Sequence, residues 1–171
     1  MAIFEPLFEI LESAKIRYVV VGGLAVVLHG HARLTADLDL ILDLEPGEAM
    51  RAIQALVGAG YSPQLPVPAE QFADPVVRRR WIEDKGMKVF SLWNPDKPMV
   101  VIDLFVEHPI PFGELWERST MVELETTRAR VASIEDLIFL KEEAGRPKDL
   151  EDIRHLLEIR EAQEEFEDDQ V

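Results

Sequence analysis

The chain has 171 residues, no cysteine, 33 acidic and 18 basic side chains and a formal charge of −15. That length suits one domain with a sizeable core, and the missing thiols exclude disulfides, thiolate metal sites and a cysteine nucleophile. So acidic a composition argues against general nucleic-acid binding, which needs basic groups over the phosphates, but leaves room for a local basic pocket.

The start, Met1-Ala2-Ile3-Phe4-Glu5-Pro6, lacks the basic and apolar segments of a secretion signal. The longest apolar run, residues 18–28, is too short to cross a bilayer, so no membrane association and a cytoplasmic location are expected. Residues 6–14 place Leu7, Ile10, Leu11 and Ala14 at helical spacing, and residues 18–21 read as a buried β-branched strand. Gly22 and Gly23 permit a tight turn with positive φ, and residues 24–28 suit a short helix ended by His29-Gly30-His31. Residues 37–42 form a second strand, with Asp37, Asp39 and Ile41 on one face and Leu38, Leu40 and Leu42 on the other.

After Glu45-Pro46-Gly47 a helix is predicted to run to Gly58-Ala59-Gly60. Residues 62–74 hold three of the eleven prolines and no periodicity, which predicts an irregular connection. Residues 75–84 are helical by pattern, with Arg78-Arg79-Arg80 as a solvated face. Residues 88–93 and 99–106 predict an antiparallel hairpin around Asn94-Pro95-Asp96-Lys97-Pro98. A short helix at 112–118 and a strand pair at 121–125 and 128–132 follow. From Ser133 the pattern is helical: Ser133-Ile134-Glu135-Asp136 looks like a capping box, Pro147 sits at a first helical position, and the acidic tail is expected to fray. The fold class expected is α/β (α+β), a small mixed sheet flanked by helices, with residues 1–132 as the catalytic domain and 133–171 as a helical portion closing one side of a cleft.

Aspartate is a poor strand residue, so Asp37 and Asp39 on one face need a reason. Taken alone, the pair is equally well read as a solvated strand end. Asp103 is the only charge in Met99-Val100-Val101-Ile102-Asp103-Leu104-Phe105-Val106, and a buried carboxylate is expensive without a partner. The partner is a core arginine, a backbone cap or a cation shared with the other two aspartates. Three all-oxygen ligands suit Mg²⁺ or Mn²⁺, and Mg²⁺ commonly fills its shell with water and substrate phosphates. Backbone N–H groups at the Gly22-Gly23 turn are placed to meet such phosphates.

Val21-Gly22-Gly23, then Asp37-Leu38-Asp39-Leu40, then Asp103 in an apolar strand, resembles the signature of the DNA polymerase β-type nucleotidyltransferase superfamily. The stretch from Gly22 to Asp39 is similar to small bacterial members, including toxin-type and antibiotic-modifying ones. Lys141 to Ile153 looks like a helical segment found late in many of them. The resemblance implies transfer of a nucleoside monophosphate from an NTP to an acceptor hydroxyl, with release of pyrophosphate. It implies that Asp37 and Asp39 hold two Mg²⁺ ions, with Asp103 at the one nearer the acceptor as ligand or base. Gly22 and Gly23 would cradle the triphosphate.

Many members carry a serine where this chain has Gly23, so phosphate contacts are expected from basic side chains: Lys141 and Lys148 on the late helices, and Arg33 with Thr35 before the acidic strand. The acceptor is left open among a small molecule, a protein and tRNA. A homodimer or a toxin-antitoxin partner is compatible with the resemblance. The alternative of another class is a catalytically silent nucleotide-binding or protein-interaction module, such as an antitoxin component. His29 and His31 are expected to end or pack the helix, with His108 and His155 remote, and Trp81, Trp93 and Trp116 to pack in the core.

Overall fold

A computed structural model of the chain describes residues 2–168. The order is α1 (Glu5–Ser13), β1 (Tyr18–Val21), α2 (Gly22–Leu28), β2 (Asp37–Leu42), α3 (Pro46–Gly58), β3 (Ser62–Pro63), α4 (Pro75–Lys85), β4 (Val89–Trp93), β5 (Val101–Phe105), α5 (Phe112–Arg118), β6 (Thr120–Glu123), β7 (Arg128–Val131), α6 (Ile134–Ala144) and α7 (Pro147–Asp168). Among the described residues the strands form one seven-stranded mixed sheet in the order β3-β4-β5-β2-β1-β7-β6. β1 runs antiparallel to β2 and parallel to β7, while β2 and β5 are parallel.

The pattern of side chains explains which strands lie centrally. All four residues of β1 are buried, as a strand covered on both faces requires. Leu38, Leu40, Ile102 and Leu104 fill one face of β2 and β5 without measurable exposure. The aspartates therefore sit on the opposite face of the same strands, because side chains alternate. Helix starts are fixed locally: Glu45 accepts from the Gly47 N–H at 2.9 Å, Asp74 from the Val76 N–H at 2.8 Å and Ser133 from the Asp136 N–H at 3.1 Å.

Several expectations change. The stretch 62–74 is not wholly irregular: Ser62 and Pro63 add an edge strand to β4, and Ala69–Ala73 forms a 3-10 turn whose Phe72 stacks on Phe90 in the core. Proline is tolerated at an edge because no further strand needs its missing N–H. Arg78 does not share a solvated face. It is buried, donating Nη1 to the Phe72 carbonyl at 2.5 Å and Nη2 to the Leu44 carbonyl at 3.2 Å.

Ser133 caps α6, but the Asp136 carboxylate binds Arg118 instead of returning to the cap, so only half the capping box forms. The acidic tail is helical through Asp168, and the expectation for 169–171 lies outside the described residues. Trp81 packs in the core against Phe90, whereas Trp93 is 41% exposed and Trp116 lies under Arg17 and Arg130. No helix among the described residues is long and apolar enough to cross a membrane.

Candidate active site

The strand register places the acidic residues before any side chain is considered. Asp39 of β2 pairs with Asp103 of β5, and Asp103 pairs with Ser91 of β4. Val21, the last residue of β1, pairs with Asp39 from the other side. Ser91, Asp103, Asp39 and Val21 thus form one row across four strands, about 4.8 Å between neighbours. Asp37 lies two residues before Asp39 and shares its face.

Chain geometry at the end of β1 fixes one carboxylate further. Gly22 has φ +67°, and a Cβ there would lie 2.0 Å from Asp39 Oδ2, so only glycine lets the backbone lie against that oxygen. Gly23 is not in the left-handed region, so the positive φ expected for both belongs to Gly22 alone, and α2 begins at Gly22 itself. At Gly23 a Cβ would lie 3.1 Å from Thr35 Oγ1 and 3.4 Å from the Arg33 guanidinium carbon. Arg33 and Thr35 therefore converge on the glycine turn.

These charges disturb one another. Burial, then the charges of Asp103 and Asp37, push the Asp39 carboxyl up to about 6, against the opposing pull of Arg146 and Lys141. Burial also raises Asp103, partly offset by the Ser91 hydroxyl that donates to its Oδ1 at 2.5 Å and supported by the charge of Asp37. Asp103 is half-buried, and its partner is this hydroxyl, not a core arginine.

A cleft of about 750 Å³ runs over this face, large enough for one nucleotide-sized ligand. Its lining includes Gly22, Gly23, Arg33, Thr35, the three aspartates, Lys141 and Lys148. All nine sequence-predicted site residues thus line one cavity, but not all in the state expected. Lys141, expected as a phosphate contact, is engaged within the protein: it is 5% exposed, with Nζ 2.6 Å from Asp152 Oδ2 and 3.7 Å from Asp149 Oδ1. Arg33 Nη1 donates to the same Asp152 oxygen. Arg146 Nε donates to Asp149 Oδ2 at 2.7 Å.

The sequence reading missed Asp149, Asp152 and Arg146 as members of this site. The available signal was Asp149 and Asp152 at i, i+3, one helical face, just after Lys141. It also placed His155 far away, yet its ring stacks on His31 with centroids 3.7 Å apart, and His29 Nε2 bonds the Ala132 carbonyl at 2.8 Å. Both are packing contacts that tie the segment after α2 to β7 and α7.

The donor set can be tested against a hard cation. Among the described residues no three His, Asp or Glu side chains make a ready-made metal cage. Magnesium does not need one, since it takes one or two carboxylates and completes its octahedron with water and phosphate. Mutually repelling carboxylates, one raised to about 6 and pressed against a glycine backbone, fit that requirement.

The profile of the family described as nucleotidyltransferase of unknown function (DUF6036) matches residues 1–162. The chain belongs to that family. Two solved structures agree with the nucleotidyltransferase fold. The lincosamide antibiotic adenylyltransferase LnuA, solved with lincomycin bound, superposes with a TM-score of 0.61 at 17% identity, covering 92% of this chain and 96% of that one. A Thermotoga maritima protein, provisionally named a nucleotidyltransferase, gives 0.57 at 16% identity, covering 92% and 91%. No curated protein matches this nucleotidyltransferase closely enough in sequence to count as a relative.

Proposed function

We propose that the protein transfers a nucleoside monophosphate from an Mg²⁺-bound NTP to the hydroxyl of a small acceptor, releasing pyrophosphate. The observation that carries this is the row in which Asp39 and Asp103 stand directly opposite each other, with Asp37 on the same face and the Gly22 backbone against Asp39. In this reading Asp37 and Asp39 hold the metal, and Asp103 holds it on the acceptor side. Bound there, Mg²⁺ (or Mn²⁺) supplies a Lewis acid that lowers the pKa of the acceptor hydroxyl and stabilises charge on the oxygens around the α-phosphorus.

The chain's own groups do the remaining work. The Gly22-Gly23 turn would offer its backbone N–H groups to the triphosphate, while the absent Gly22 side chain leaves its space to the Asp39 carboxylate. Arg33, Arg146 and Lys148, with Thr35, offer donors along that edge of the cleft. Ser91 donates to Asp103 Oδ1, leaving the other oxygen to face the acceptor. Asp103 either takes the hydroxyl proton or orients the hydroxyl through the metal, and both roles need it ionised.

The cleft suits a small, partly apolar acceptor. Phe105 and Phe139 line it, with Glu107, Glu143 and Lys88, and among the described residues neither glutamate takes part in an ion pair. A polyanion such as tRNA meets repulsion there. The binding of lincomycin by the similar lincosamide antibiotic adenylyltransferase supports a small-molecule acceptor. An NTP substrate implies a compartment that holds nucleotides, the cytoplasm.

The test is label transfer from α-labelled NTP to the small-molecule fraction of a cell extract, with and without Mg²⁺. Wild type gives an Mg²⁺-dependent labelled product and Asp39→Asn none. Equal background from both proteins removes the transferase reading and favours a nucleotide-binding module without turnover, such as an antitoxin component.

A further inference from the structure

Two aspartates of α7 are buried at the edge of the cleft, and the proposed chemistry assigns neither a role. Asp149 is fully buried and Asp152 is 3% exposed. A carboxylate so placed is costly unless charged donors match its lone pairs. Burial alone would raise both, but the bonds from Arg146 hold Asp149, and those from Lys141 and Arg33 hold Asp152, below the usual carboxylate range.

The arrangement around Asp152 is directional. Its Oδ2 takes Lys141 Nζ at 2.6 Å and Arg33 Nη1, so one oxygen joins the segment after α2 to α6. Arg33 Nη2 lies 3.4 Å from the point a Gly23 Cβ would occupy, and among the described residues no hydrogen bond uses its Nε or Nη2. A guanidinium is planar, so fixing one nitrogen fixes the directions of the others. The unused N–H groups stand beside the glycine turn, inside the cleft.

We propose that Asp152 is a positioning residue for the nucleotide: it holds Arg33 against the Gly22-Gly23 turn so that Nε and Nη2 donate to the triphosphate. This rests on the nucleotide reading above. Lys141, central to the buried pair, is the counter-charge that keeps Asp152 ionised; it is not itself a phosphate ligand. Asp149 holds Arg146 in the same manner through Nε at 2.7 Å. The C-terminal helices are thereby part of the nucleotide site, because a preset donor loses less freedom on binding than a free one.

Calorimetric binding of MgATP, MgGTP, MgCTP and MgUTP tests this, the variants being measured with whichever nucleotide wild type binds best. Asp152→Asn is expected to bind at least tenfold more weakly. Arg33→Lys loses a similar factor, and the double variant loses no more than Arg33→Lys alone, because the two residues act as a unit. If Asp152→Asn does not fold, Asp152→Leu with Lys141→Met replaces it, since that pair leaves no buried charge unmatched.

Unchanged affinity in the folded variant, additive losses in the double variant, or tighter binding by Asp152→Asn overturns the inference. Tighter binding would make Asp152 a competitor of the phosphates for Arg33. Wild type binding none of the four nucleotides overturns the nucleotide reading itself, and this inference with it.

Discussion

Gly22 and Asp39 touch so closely that a methyl group on the first would stand 2.0 Å from Oδ2 of the second. The backbone there also has φ +67°, which side-chain-bearing residues rarely adopt. Gly22→Ala is therefore expected to cost about 1–3 kcal/mol and to push the Asp39 carboxylate out of line with Asp103. Thermal melting should show a drop of about 3–10 °C, and Mg²⁺-dependent transfer should fall at least a hundredfold. A variant with wild-type melting and activity would mean that the contact does not set Asp39.

Asp39 also gives the fold a pH signature. Its pKa of about 6 lies above the ordinary 3.8, so the native state holds this proton longer than the unfolded chain. The stability this contributes is full below the ordinary value and is lost as pH rises through about 6. At pH 7.5 without metal, Asp39→Asn is expected to be more stable than wild type by about 3 kcal/mol, and at pH 3.5 the two should converge. Mg²⁺ should narrow the gap at pH 7.5 by stabilising only wild type. Asp149 and Asp152 have the opposite sign: their pKa values are lowered, so their contribution is present at neutral pH and is lost as acid protonates them below the ordinary carboxylate range.

Gly23 meets side chains where Gly22 meets the pressed carboxylate. A Cβ there lies 3.1 Å from Thr35 Oγ1, whose bond to the Asp37 carbonyl is a weak 3.4 Å. Thr35 is free to give by a few tenths of an ångström. Gly23→Ser should melt within about 1 kcal/mol of wild type, and Thr35→Ala should remove whatever penalty remains. A loss of several kcal/mol in Gly23→Ser would show that the turn is closed to any side chain.

Arg78 lies outside the cleft and offers a control. Its guanidinium bonds the Phe72 and Leu44 carbonyls beneath α4. Arg78→Met removes the donors to one buried and one part-buried carbonyl and should cost about 2–3 kcal/mol, with nucleotide affinity unchanged at temperatures where the variant is folded. A selective loss of nucleotide binding would place Arg78 in the function after all.

Much of this was legible because it follows from alternation and cost. Asp37, Asp39 and Asp103 stand out in apolar strands, and a period of two assigns them to one face. The β4-β5 hairpin and the breaks at Gly22, Pro46 and Gly145 are likewise local signals. What stayed hidden depended on distant partners. Lys141 reads as a phosphate contact, and only the fold shows that α7 brings Asp149 and Asp152 against it. The arginine run reads as a surface face until Phe72 and Leu44 turn their carbonyls toward Arg78. Ser91 carries no signal of its own, since its role comes from lying opposite Asp103 in the sheet register.

The central claim is that Asp37, Asp39 and Asp103 form one metal-nucleotide centre. Anomalous diffraction at the manganese edge, from crystals grown with Mn²⁺ and a non-hydrolysable NTP analogue, tests it directly. The account predicts a manganese peak in contact with Asp37 and Asp39, with the α-phosphate alongside and Asp103 facing it. Nucleotide and manganese bound elsewhere, with these three carboxylates contacting neither, would contradict it.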